Sequence, residues 1–185
     1  MPSSADPVAR ALTEAADLLA PALVGARVTL IDGRSGSGKT TLASVLASRR
    51  PDVQVLALDS LYPGWDGLAR GVDAVLHGVL EPLGRGEAGQ WRRWDWAADR
   101  PAEAHTIDPG RPLLIEGSGV LTAQTAAWAD VRVWLRSPAG SRKARALARD
   151  GEVYRAQWDR WAEQEEQHLR ADDPERWATH IVDVP

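Results

Sequence analysis

Ile31-Asp32-Gly33-Arg34-Ser35-Gly36-Ser37-Gly38-Lys39-Thr40-Thr41 decides the fold. Gly33 to Thr40 spells G-x-x-x-x-G-K-[ST], the loop that cradles phosphates. A polyphosphate needs several backbone N–H groups turned inward, and glycines let the chain curl that tightly. Gly33, Ser35, Gly36, Ser37, Gly38, Lys39, Thr40 and Thr41 are therefore the nucleotide-holding candidates. Lys39 reaches the β- and γ-phosphates, and the Thr40 hydroxyl can hold Mg²⁺. Arg27 to Ile31 reads as a buried strand before the loop. Thr41 to Ala47 has helical spacing after it, so a helix N-terminus faces the phosphates.

Upstream, Asp6-Pro7 starts a helix, with Asp as N-cap and Pro at the first helical position. Val8, Leu12, Ala15 and Leu19 form its apolar face, and Pro21 is expected to close it, giving an N-terminal helix within residues 1–22.

Downstream, Val53 to Leu58 reads as a strand ending at Asp59-Ser60-Leu61-Tyr62. Ligands of an open parallel sheet sit beyond the carboxyl ends of its strands, so Asp59 can project toward the phosphates. A turn-initiating Asp is the alternative. This strand is expected to lie beside the P-loop strand. Leu68 to Leu83 suggests a helix interrupted by Gly71 and Gly78. Gln90 to Trp96 alternates like a strand or extended loop, with Trp94 and Trp96 on one side. Three tryptophans beside two arginines can clamp a small substrate or pack as a surface hairpin. Leu113-Leu114-Ile115-Glu116-Gly117 is an apolar run ending in a carboxylate, the layout of a second acid that orients Mg²⁺ or its waters. A short helix over 121–129 and a strand over 131–135 follow. Ser137-Pro138 opens a helix to Asp150-Gly151, and a second helix carries Tyr154, Trp158 and Trp161 on one face. These Arg-rich helices, about 138–170, read as a lid or as a solvated basic face. His180 to Asp183 is a last short strand.

The 185 residues fit one domain, 1–185, with 44 % hydrophobic and 26 % charged residues. A net charge of −4 gives no reason to expect a nucleic-acid partner. With no cysteine, disulfides and thiol chemistry are excluded, and four scattered histidines make no metal spacing. No apolar run spans a membrane and no signal-peptide core is seen, so a cytoplasmic protein is expected. Nine Trp and no Phe point either to coding drift or to aromatic pocket walls.

In order along the chain, Gly33–Thr40, Asp59-Ser60-Leu61-Tyr62, Trp94-Asp95, Arg100, Glu116-Gly117, Arg142–Arg149-Asp150 and Ile181-Val182-Asp183 resemble the uridine kinase-like branch of the P-loop kinases. The resemblance implies an α/β P-loop NTPase fold: a five-stranded parallel sheet, helices on both faces and a helical, Arg-bearing lid. It implies that Asp59 accepts the acceptor hydroxyl's proton and that Thr40 and Glu116 hold Mg²⁺. It implies that Arg149 and Arg155 neutralise the transferring phosphoryl group. Tyr62, Asp66, Trp94, Asp95 and Arg100 fall in the acceptor-binding segments, Asp66 within about one residue of the family's ribose-hydroxyl Asp. The family's Tyr-Asp is Trp94-Asp95 here, and the His that reads a pyrimidine edge is replaced by Asp99-Arg100. The transfer machinery is thus kept and the acceptor pocket rebuilt, so uridine and cytidine do not follow as acceptors. The expectation is an ATP- and Mg²⁺-dependent kinase acting on a hydroxyl of a small molecule, a nucleoside or nucleotide first, as monomer or homodimer. A nucleotide-binding module and a hydrolytic NTPase are the alternatives.

Overall fold

The computed structural model describes residues 6–185, with Asp150 described in its backbone only, so the Asp150 side chain singled out above lies outside the described residues. Five parallel strands form the sheet: β1 (Val28–Gly33), β2 (Gln54–Ala57), β5 (Leu113–Glu116), β6 (Val131–Arg136) and β7 (His180–Asp183), in the spatial order β2-β5-β1-β6-β7. Strand alternation sends side chains to opposite faces. Val28, Leu30, Leu56, Leu113 and Ile115 pack into one core, and Ile31, Leu114, Val131, Val133 and Leu135 into the other.

The second core is covered by α1 (Pro7–Leu23) and α2 (Lys39–Arg49). The Asp6 carboxylate caps α1 by accepting from the Val8 amide at 3.0 Å. Pro21 does not close α1 as expected. It sits within the last turn and the helix runs to Leu23, which is buried, so packing carries the helix two residues past the proline.

The first core is covered by α3 (Leu68–Val75), which passes through a π-turn (Leu76–Leu80) into α4 (Glu81–Gly84), and by α6 (Ala139–Asp172). A short α5 (Ala123–Ala126) and α7 (Pro174–Trp177) complete the helices. Gly151, at φ 68° and ψ −151°, breaks α6 into the two helices that the sequence predicts.

The expected neighbour relation between the Asp59 strand and the P-loop strand is wrong. β5 lies between them, pairing with β2 on one side and β1 on the other. All four residues of β5 are buried, whereas β2 is partly exposed, so the more apolar strand takes the interior place. A separate antiparallel hairpin, β3 (Gly89–Asp95) with β4 (Arg100–Ile107), lies outside the main sheet.

Candidate active site

β1 ends in Gly33, and the P-loop turns from it into α2. Gly36 has φ 79°, and a Cβ there would run into the Arg142 carbonyl, so both the turn and the close approach of α6 demand glycine. Arg142 donates to the Ser35 carbonyl at 3.0 Å and Arg145 to the Gly36 carbonyl at 2.9 Å. Two arginines of the expected lid cluster therefore staple the P-loop backbone. Burial pulls the Arg142 pKa below its usual value.

Lys39 Nζ donates to the Gly33 carbonyl at 2.6 Å and lies 3.2 Å from Ser118 Oγ. Thr40 Oγ1 donates to Glu116 Oε1 at 3.0 Å. The sequence placed these two residues at a metal site 76 positions apart, and the fold brings them into contact. Burial raises the Glu116 pKa, Lys39 opposes that shift, and Asp59 adds to it. A hydroxyl beside a buried carboxylate is an oxygen donor set that suits Mg²⁺. Ser37 Oγ, in the same loop, is buried with no partner among the described residues. Among those residues no three His, Cys, Asp or Glu side chains gather as a metal cluster.

A cavity of about 560 Å³ opens over the loop. Lys39, Thr40, Glu116 and Ser118 line it together with Asp59, Tyr62, Trp65 and Trp96. Arg149, Val153 and Tyr154, flanking the Gly151 break, reach it from α6. Arg149, with Gly36, Lys39 and Thr40, also lines a smaller recess of about 140 Å³ that Thr41 borders.

Other sequence candidates lie elsewhere. Arg155 pairs with Glu152 on the surface at 3.0 Å. Asp66 forms an ion pair with Arg160 and faces a different cleft, between α3 and α6. Asp95 accepts from the Ala97 and Ala98 amides in the hairpin turn, opposite Arg100. The Trp94 indole N–H is buried without a partner among the described residues, and Trp91 stacks on His105 at 4.5 Å. Of the Trp-rich segment, Trp96 alone lines the cavity, and its indole donates to the Asp59 carbonyl at 2.8 Å. Tyr62 contributes its ring while its hydroxyl donates to the Ser118 carbonyl at 2.7 Å. Burial, reinforced by nearby carboxylates, holds the Tyr62 pKa well above its usual value.

Sequence reasoning missed three residues that assemble the site. The Asp32 carboxylate, fully buried, accepts from the amides of Gly33 (2.6 Å), Gly119 (2.9 Å) and Leu121 (2.8 Å), and meets His168 Nε2 at 3.1 Å. His168 is bracketed by Asp172 at 2.9 Å. Glu165 accepts from the Ser35 amide at 2.7 Å and from Ser118 Oγ at 3.1 Å, and pairs with Arg34 at 3.2 Å. The one available signal was an acid inside an apolar strand, Asp32, which needs partners if buried.

Sheet order and P-loop placement together define a P-loop kinase-like fold. The structure is similar to that of a possible uridine kinase from Bacillus stearothermophilus, with a TM-score of 0.69 and 20 % identity over 93 % of this chain and 99 % of that one. An uncharacterized protein from Eubacterium ventriosum ATCC 27560 matches at a TM-score of 0.46 and 10 % identity, covering 84 % and 86 % of the two chains, too distantly to add to the argument. No family model matches the chain. No curated protein matches it either. No helix among the described residues is long and apolar enough to cross a membrane.

Proposed function

We propose that the protein is an ATP- and Mg²⁺-dependent kinase that transfers the γ-phosphoryl group to a hydroxyl of a small molecule, with nucleosides or nucleotides the first class to test. The observation that carries this reading is one shared cavity, lined by the P-loop residues Lys39 and Thr40, by the carboxylates of Glu116 and Asp59, and by Arg149 from α6.

Each residue then has a role. The P-loop amides and Lys39 hold the phosphates and take up charge on the oxygen that leaves with ADP. Thr40 and Glu116 are the residues that would hold Mg²⁺, which when bound neutralises phosphate charge. Asp59 orients the acceptor hydroxyl and takes its proton as the new O–P bond forms and the bond from γ-phosphorus to the bridging oxygen breaks. Arg149 stabilises charge on the group in flight.

ADP formation measured with and without a panel of nucleosides tests the reading. Turnover that depends on an acceptor is the expected result. Equal turnover without acceptor would make the protein a hydrolytic NTPase. Tight ATP binding with no turnover would make it a binding module.

A further inference from the structure

Arg142 is 5 % exposed, yet it lines neither the large cavity nor the smaller recess beside the loop. A buried charge needs partners for its donors, and those of Arg142 are backbone carbonyls. One prong of its guanidinium donates to the Ser137 carbonyl at 3.1 Å, where β6 gives way to α6. Another donates to the Ser35 carbonyl at 3.0 Å. The Ser35 amide, in turn, donates to Glu165 at 2.7 Å. A single P-loop residue is therefore held at its C=O by the half of α6 before the Gly151 break and at its N–H by the half after it.

The Ser35 carbonyl and the Gly36 amide belong to one trans peptide unit, so they point in opposite directions. Drawing the carbonyl toward Arg142 aims the Gly36 N–H the other way. Gly36 lines both the cavity and the recess. Its φ of 79° is one of several conformations that a glycine reaches with similar ease, so the loop alone does not fix this unit. We infer that Arg142 is a positioning residue of the phosphate cradle: by holding the Ser35 carbonyl, while Glu165 fixes the amide before it, it keeps the Gly36 N–H turned toward the cavity as a donor to a phosphate oxygen. This rests on the phosphate-binding half of the proposed function and needs none of the transfer step. Arg142 works through the backbone, unlike Arg149, which lines the cavity itself.

The test is calorimetric titration of the full chain with pyrophosphate and with ATP, while amide NMR follows the Gly36 resonance. In the wild type the Gly36 amide proton is expected to move downfield when pyrophosphate binds, as an N–H does on donating to an anion. Arg142→Met keeps the stem and removes the donors. It is expected to weaken both ligands by about tenfold, the scale of one hydrogen bond to a charged group, and to abolish the Gly36 shift. Arg142→Lys offers one ammonium where the fork reaches two carbonyls, so its affinity and its Gly36 shift should fall between the two. Urea denaturation of each variant reports whether the fold is kept. A wild-type Gly36 amide that does not move overturns the inference, as does a Met variant with wild-type affinity and an intact shift. If the Met variant does not fold, the Lys variant decides, and one indistinguishable from wild type overturns the inference. Failure of the kinase reading looks different: pyrophosphate binding with the Gly36 shift but no transfer leaves the inference standing and removes the reaction. A wild-type protein that binds neither ligand removes both.

Discussion

The Glu165 carboxylate, 2 % exposed, accepts a hydrogen bond from the Ser35 backbone amide at 2.7 Å, joining the second half of α6 to the P-loop across 130 residues. The same carboxylate binds Ser118, which neighbours Lys39, and Arg34. The helix after the Gly151 break is thus anchored at the P-loop. Gln164 adds a tie to the loop before α3 by donating to the Trp65 carbonyl at 2.6 Å.

Glu165→Ala should destabilise the fold by about 2–3 kcal/mol, because it strands a buried amide and removes a charged acceptor. Urea denaturation monitored by tryptophan fluorescence measures this. A change within about 0.5 kcal/mol would make the contact incidental.

His168 should make stability pH-dependent. Burial alone would lower its pKa, but Asp32 and Asp172 outweigh burial and raise it above 6.5. A raised folded pKa means that the unfolded chain releases the proton first. The stabilisation is then fully present below about pH 6.5 and lost as pH rises through the folded value. His168→Gln keeps a donor toward Asp32 but does not titrate. Its stability relative to wild type should therefore improve as pH rises from 6 to 9, and parallel curves would contradict this.

Thr40→Ala should raise the Mg²⁺ concentration needed for half-maximal turnover, since it removes the hydroxyl that, in the proposed kinase, would hold the metal beside Glu116. Glu116→Gln should shift the titration the same way. Unchanged titrations in both variants would take the pair out of the metal site.

Arg149→Ala should lower turnover far more than ATP affinity, because its charge matters most when the phosphoryl group is in transit. Paired kcat and nucleotide-binding measurements decide it. Normal turnover with weakened ATP binding would make Arg149 a ground-state contact.

The P-loop was legible because its whole grammar is local: strand, glycine turns, lysine and helix within about twenty residues. Glu116 was legible for a related reason, since it closes the short apolar run of β5. Asp59 also follows an apolar run, but β2 stops at Ala57 rather than Leu58, and Asp59 sits in a 3-10 turn, Leu58–Ser60, beyond the strand. Strand order was not, because nothing in Gln54–Ala57 says which strand will lie beside it. β4 escaped notice since Arg100–Ile107 is mostly exposed and begins Arg-Pro, without a clean apolar alternation. Asp32, Glu165 and His168 stayed hidden because their partners lie more than 80 residues away for the most part. Asp66 and Arg155 show the converse, with plausible positions in sequence whose side chains are spent on ion pairs outside the cavity.

Asp59 carries the central claim, and Asp59→Asn tests it most directly. The substitution keeps size and hydrogen-bonding shape but removes basicity. Single-turnover transfer from ATP to an acceptor, measured beside ATP affinity at saturating Mg²⁺, separates chemistry from binding. The account predicts a rate loss of about 10²-fold or more with nearly unchanged ATP affinity. A wild-type rate in the Asn variant would contradict it.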